Sequence, residues 1–209
     1  MQIQRLGRPM ARALAAAFMM SAATGAAYAQ GHDDHDSMMM SASPQHLSQQ
    51  QGALVKAVQN ATKKYRFVND IGGPGDGYEL VLGCVSGGDF GAMGLHYLNV
   101  PFLKDGAIDV MKPEIVLFEP TPNGGIRITG ADYIVFASDW DNNPAHKNPD
   151  GSVNPPQLFG QLFHFFDAPN RFALPPFYTL HVWAWKDNPV GTFTNWNPNV
   201  SCDAYNPIR

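Results

Sequence analysis

EIVLFEPTPNGGIRITGADYIVF, residues 114–136, is the stretch that most directly indicates the fold. Its two apolar runs, Glu114–Glu119 and Ile126–Phe136, flank a segment rich in proline and glycine, which is the pattern of two β-strands joined by a turn. Asn123-Gly124 supplies the positive backbone angles that a tight hairpin turn requires. The stretch therefore predicts an antiparallel β-hairpin.

Four more apolar runs of strand length surround this hairpin. Segments rich in proline and glycine separate them, and the polar stretch 139–156 is too broken by proline to be a strand. The whole pattern predicts a curled, mostly antiparallel sheet of roughly five to seven strands, with a barrel as one form it could take. The four runs are Tyr78–Cys84, Met93–Val100, Gln157–Phe166 and Phe177–Lys186.

One amphipathic helix is predicted before the strands. Ser43-Pro44 is typical of a helix start, with serine as the N-cap and proline at the first helical position. Apolar residues then recur mostly at three- and four-residue spacings, as on one face of a helix. These residues are Leu47, Leu54, Val55, Val58, Ala61 and Tyr65. The predicted fold class is therefore α+β, with one N-terminal helix packed on the sheet.

The first 29 residues have the three parts of a cleavable secretory signal. A basic start with Arg5, Arg8 and Arg12 precedes a short apolar run, and Ala27-Tyr28-Ala29 provides an A-x-A cleavage site. The protein is therefore expected in the periplasm or outside the cell.

Three segments are predicted along the chain: a signal peptide at 1–29, a disordered tail rich in His, Asp and Met at 30–43, and a single globular α+β domain at 44–209. Removing the first segment takes away three arginines and no acidic residue, so the formal net charge moves from −4 to −7. So acidic a domain repels nucleic-acid phosphates and anionic lipid. No later stretch has the ~18 apolar residues of a membrane helix. We therefore expect neither nucleic-acid binding nor membrane insertion.

Cys84 and Cys202 are the two cysteines of the chain. An oxidising compartment favours a disulfide between them. The alternative, two thiols that bind a metal ion, has no C-x-x-C pattern to support it. We predict the disulfide, which would stabilise the fold by roughly 4–5 kcal/mol in the chain-entropy model.

Histidine and tryptophan side chains suggest a ligand pocket, because side chains alternate between the two faces of a strand. His181 shares a face with Trp183 and Trp185, and His96 lies in another apolar run. A strand face that bears these rings could line a pocket for an apolar or aromatic ligand, although it could equally fill the interior of a curled sheet.

Asp132 is the fifth candidate for ligand binding. Alternation places it on one face with Ile128 and Ile134, where a carboxyl group would have a raised pKa unless it is paired. Such a group suits a general acid or base. It could equally bond Arg127 or a backbone amide near a bulge at Gly130.

A metal centre is a second interpretation of the strand histidines. If their strands are neighbours, His96, His164 and His181 could converge with Glu114 or Glu119. Two or three histidines with one carboxylate suit zinc, iron or copper. The chain has no H-x-H or H-E-x-x-H spacing, so each histidine could instead be a buried core residue with a hydrogen-bond partner.

The predicted tail suggests a separate copper site. Cleavage after Ala29 would leave Gln30-Gly31-His32 at the N-terminus, and its amine, two amides and imidazole form the square-planar nitrogen set that Cu(II) prefers. His35 and the thioethers of 38–40 follow. Cyclisation of Gln30 would remove the amine, and such tracts also occur as plain solvated tails.

Four motifs give the chain a resemblance to other sequences: GLHY at 94–97, PEIVLFEP at 113–120, LHVWAW at 180–185 and NPNVSC at 197–202. With them the chain resembles a group of uncharacterised exported bacterial proteins over roughly 53–202. The resemblance implies one exported domain and brings no activity or catalytic residue with it.

Three functions are compatible with these observations. We expect an exported small-ligand or metal-binding domain with a His/Trp-lined pocket, the metal being copper or zinc. The first alternative is a small metal-dependent enzyme that uses histidines and carboxylates of the sheet. The second is a structural or interaction domain without a site.

Overall fold

The computed structural model describes residues 46–67, 71–72 and 76–206. An α-helix, Gln49–Thr62 (α1), lies near the start of this part of the chain. Its N-cap is Ser48, whose hydroxyl accepts a hydrogen bond from the Gln51 backbone N–H while the Gln51 side chain accepts one from the Ser48 N–H. This reciprocal capping box explains why the helix begins after Ser48. The predicted cap, Ser43, lies outside the described residues.

The described strands form one six-stranded antiparallel sheet and one two-stranded ribbon. In chain order they are β1 (Tyr78–Ser86), β2 (Ala92–Asn99), β3 (Ile115–Pro120), β4 (Ile126–Phe136), β5 (Gln157–Leu158), β6 (Gln161–Leu162), β7 (His164–Phe166) and β8 (Phe177–Val182). The large sheet has the order β1-β2-β3-β4-β8-β7, and β5 pairs with β6. Two short helices, α2 (Val100–Lys104) and α3 (Ala137–Asp141), follow β2 and β4.

The predicted α+β class and the antiparallel sheet are confirmed. Strands β3 and β4 form the hairpin that 114–136 predicts, and β4 has the predicted bounds. The sheet is open, because β1 and β7 are its two edges and do not pair with each other within the described ranges. The barrel form is therefore not realised there.

Two predicted strands are shorter than their apolar runs. The run Gln157–Phe166 divides into β5, β6 and β7, because Phe159 and Gly160 both have positive φ angles, 51° and 79°, and turn the chain. The run Phe177–Lys186 leaves the sheet after Val182, whose carbonyl accepts a hydrogen bond from the Ala184 N–H. Apolar character alone does not reveal such turns.

The two faces of the sheet belong to different buried clusters. Leu54 and Val58 of α1 lie in a cluster with Tyr133 and Leu180 of the sheet. The residues that alternate with these, among them Ile134 of β4, form a second cluster on the other face. The candidate site lies on this second face.

Gly130 produces a bulge that sets which β4 side chains face that site. A Cβ atom at this position would lie 2.0 Å from the Val182 carbonyl oxygen, so only glycine fits. The register between β3 and β4 shifts here. Ile128 consequently joins the cluster of Phe118, not that of Ile134, which corrects the expectation that Asp132 and Ile128 share a face.

The Cys84–Cys202 disulfide is present, as predicted. It joins β1 to the C-terminal segment across a sequence separation of 118 residues. No helix of the described residues is long and apolar enough to cross a membrane.

Candidate functional site

A small cavity of about 50 Å³ lies against the second face of the sheet. Its apolar wall comes from strand residues such as Ile115 and Ile134 and from the loop before β8, which contributes Phe172 and Leu174. Five polar side chains also line it: His96, Asp132, Thr179, His181 and Asn195. The cavity is thus largely apolar with a few convergent polar groups, which is the usual composition of a small-molecule site.

His181 and Asp132 form the centre of the polar part. They are direct cross-strand neighbours on β8 and β4, and the distance from His181 Nδ1 to Asp132 Oδ2 is 3.3 Å. The Thr179 hydroxyl donates to the other carboxylate oxygen at 2.5 Å. Because the carboxylate is the acceptor, His181 carries a proton on Nδ1.

The second nitrogen of His181 is the atom of this pair that lacks a hydrogen-bond partner in the described part of the chain. The side chain is 1% exposed, and its Nε2 has no hydrogen-bond partner among the described residues. A buried polar atom without a partner costs about 1–3 kcal/mol. A molecule in the cavity that bonded Nε2 would recover this free energy.

Asp132 is ionised in this arrangement. Burial opposes its negative charge, but the charge of His181 and the hydrogen bonds from His181 and Thr179 outweigh burial and lower the pKa of the carboxyl group. Both carboxylate oxygens are engaged, one by Thr179 and one by His181. The role of Asp132 is therefore to orient His181 and to stabilise a positive charge on it.

His96 is the neutral member of the cluster. Its Nδ1 donates to the Gly94 carbonyl at 3.0 Å, and its ring lies edge-to-face with that of His181, with a centroid distance of 6.2 Å. Burial and the charge of His181 lower the pKa of His96 to about 4. Gly94 has φ +93°, and a Cβ there would lie 2.3 Å from the Phe118 carbonyl oxygen, so glycine is required to place the acceptor.

Asn195 supplies a second buried polar atom without a partner. Its Oδ1 lacks a hydrogen bond among the described residues, and its side chain lines the same cavity as His181. Asn195 belongs to the C-terminal segment that the disulfide ties to β1.

The two tryptophans that share strand parity with His181 do not line the cavity. Trp183 is buried beside His181, with ring centroids 5.1 Å apart, and its Nε1 donates to the Thr194 carbonyl. Trp185 donates to the Thr62 hydroxyl of α1 and so lies on the helix side of the sheet. The turn after Val182 ends the alternation on which the expected His/Trp face depended.

Of the five expected metal ligands of the core, His96 and His181 are neighbours, but His164, Glu114 and Glu119 do not join them in a metal-binding group. His164 is exposed on the edge strand β7. Glu119 is paired with Arg127 and Lys186, and Glu114 accepts a hydrogen bond from the Ile134 N–H. Within the described ranges no three His, Cys, Asp or Glu side chains form a group that could hold a metal ion.

The tail candidates His32 and His35 lie outside the described residues.

Several site residues carry no clear signal in the sequence. Phe172, Leu174 and Asn195 lie in irregular segments rich in turn residues, where no periodicity relates them to His181. Phe177 and Thr179 could have been found, because they precede His181 at two-residue steps on the same strand.

Comparison of the chain with protein-family models, curated protein sequences and solved structures gives no match. The geometry of the cavity is therefore the basis on which a function is proposed.

Proposed function

We propose that this chain is an exported binding domain for a compact, mainly apolar organic molecule that occupies the His181 cavity. The observation that carries the proposal is a largely apolar cavity lined by His181, whose buried Nε2 has no hydrogen-bond partner among the residues that the structure describes.

The cavity wall favours a ligand with a large apolar part. Burial of apolar surface contributes roughly 25 cal/mol per Å², so a ring seated against Ile134 and Phe172 would supply most of the binding free energy. The polar part of the ligand would be small, since His181 and Asn195 are the only described residues lining the cavity that have a buried side-chain polar atom without a hydrogen-bond partner.

The disulfide supports a location outside the cytoplasm. Disulfides persist in oxidising compartments, of which the periplasm is one. The signal-like residues 1–29 favour the same location.

Binding of 4-nitrotoluene, an uncharged compact ring, tests the proposal. We expect saturable binding by equilibrium dialysis, and at least tenfold weaker binding by Leu174→Phe, because the larger ring fills the cavity from the loop side. The matched control is Leu162→Phe, since Leu162 is 53% exposed and does not line the cavity. Equal affinity in both variants, or no saturable binding by the unaltered protein, would contradict the proposal.

A further inference from the structure

The His181–Asp132 pair has the geometry of a base and the group that orients it. The distance from His181 Nδ1 to Oδ2 of the buried Asp132 carboxylate is 3.3 Å, and this contact fixes the ring. When Nδ1 carries the proton of neutral His181, the lone pair belongs to Nε2, on the other side of the imidazole. Enzymes that use histidine as a general base have this arrangement, because the carboxylate stabilises the imidazolium that forms.

No nucleophile accompanies this base. The described side chains that line the cavity include no Ser, Cys or Lys, and the Thr179 hydroxyl is engaged by Asp132. The arrangement therefore favours transfer of a proton over formation of a covalent intermediate.

The charges at the site select the kind of acid that could give up this proton. Asp132 already contributes one buried negative charge, so an ionised carboxylate ligand beside neutral His181 would add a second one, and no Lys or Arg is among the described residues that line the cavity. A neutral hydroxyl ligand adds no charge. When its proton moves to His181, the total charge of ligand and protein remains the same.

The other titratable groups near His181 do not compete for the proton. His96 of β2 faces the His181 ring and is neutral at pH 7, because burial and the charge of His181 lower its pKa. Glu114, which precedes β3, is protonated at pH 7, because burial, and to a smaller extent the charge of Asp132, raises its pKa to about 8. Within the described chain, His181 is thus the base at the cavity.

We propose that His181, oriented by Asp132, accepts the proton of a weakly acidic hydroxyl group, of the phenol class, on the molecule bound in the cavity. The O–H bond breaks with its electron pair left on oxygen, and an N–H bond forms at Nε2. The negative charge of Asp132 stabilises the positive charge of the imidazolium that forms. This inference rests on the proposed function, because the hydroxyl-bearing ring must first occupy the cavity.

The probe 4-nitrophenol reports this step directly, since its phenolate is yellow and its neutral form is not. At a pH where free 4-nitrophenol is protonated, we expect the bound molecule to show the phenolate band. Asp132→Asn should retain binding and lower the bound phenolate-to-phenol ratio at least tenfold. His164→Asn, a change at an exposed histidine of the same sheet, should leave the ratio unchanged.

His181→Gln provides a second test if Asp132→Asn does not fold. Glutamine can still donate to Asp132 but is not a base, so the variant should bind 4-nitrophenol without the phenolate band. An undiminished band in His181→Gln, or 4-nitrophenol bound only as the neutral phenol by the unaltered protein, would overturn the inference.

Binding of 4-nitrotoluene separates the two proposals. If 4-nitrotoluene binds in the cavity and 4-nitrophenol stays neutral there, the binding function stands and the proton-acceptor role fails. If neither compound binds, both proposals fail.

Discussion

Glu114 is the side chain whose charge conflicts most with its surroundings. It is 1% exposed, and one carboxyl oxygen accepts a hydrogen bond from the Ile134 N–H at 3.0 Å. Burial raises the pKa of Glu114, and hydrogen bonds from the backbone lower it. The effect of burial is the larger, so the pKa is raised to about 8. The folded protein therefore holds a proton that the unfolded chain releases near the ordinary glutamate pKa of 4.5.

The free energy of unfolding should consequently fall by about 2 kcal/mol between pH 6.5 and pH 8. In that range the folded state binds more protons than the unfolded state at Glu114, so stability decreases as pH rises. The opposite effect of His96, whose pKa is lowered to about 4, lies mainly between pH 4 and its ordinary pKa of 6.5, so little of it remains in this range. Urea unfolding of the unaltered protein and of Glu114→Gln at pH 6.5 and pH 8 measures the decrease in the free energy of unfolding. Glutamine keeps the acceptor and cannot ionise, so the variant should lack the decrease, and an equal decrease in both would refute the account.

Among the elements, β4 has the largest influence on the site. The Asn-Gly turn and the apolar alternation predict it from the sequence, and its bounds agree with the structure. The bulge at Gly130 then places Ile128 on the face opposite to Asp132 and Ile134, which line the cavity. Alternation alone could not reveal this, because the close approach of the Val182 carbonyl to Gly130 depends on the partner strand β8.

Gly130→Ala should destabilise the protein by about 3 kcal/mol or more, because the new Cβ would lie 2.0 Å from a backbone oxygen of β8. The matched control is Gly52→Ala in α1, where a Cβ would have nothing within 4 Å. That change should stabilise the helix by roughly 0.5–1 kcal/mol, since alanine has the higher helix propensity. Thermal unfolding followed by circular dichroism measures both. A Gly130→Ala variant as stable as the unaltered protein would show that the bulge does not depend on glycine.

For the whole molecule, the disulfide and the order of the strands assemble the site. Cys84 and Cys202 could be paired from the sequence, because they are the only two cysteines. The Asp132–His181 pair could not be predicted, since nothing in the sequence shows that β4 pairs with β8. The facing residues of these two strands lie 41 to 51 positions apart. Composition and alternation thus predict the class of fold and the candidate side chains, but not which of them meet.

Replacement of both cysteines by serine should lower the free energy of unfolding by roughly 4–5 kcal/mol, the loop-closure effect expected for a loop of this length. Guanidinium unfolding under non-reducing conditions measures the loss. Added reductant should lower the stability of the unaltered protein by a similar amount and leave the double variant unchanged. A double variant as stable as the unaltered protein would contradict the proposed contribution of the disulfide.

The central claim, that the His181 cavity is a ligand site, is tested most directly by a crystal structure of the protein grown with 4-bromophenol. The anomalous signal of bromine locates the ring without ambiguity. We expect one bromine peak in the cavity, with the ring against Phe172 and the hydroxyl oxygen within hydrogen-bond distance of His181 Nε2. Bromine peaks only outside the cavity, or a cavity that stays empty at saturating 4-bromophenol, would contradict the claim.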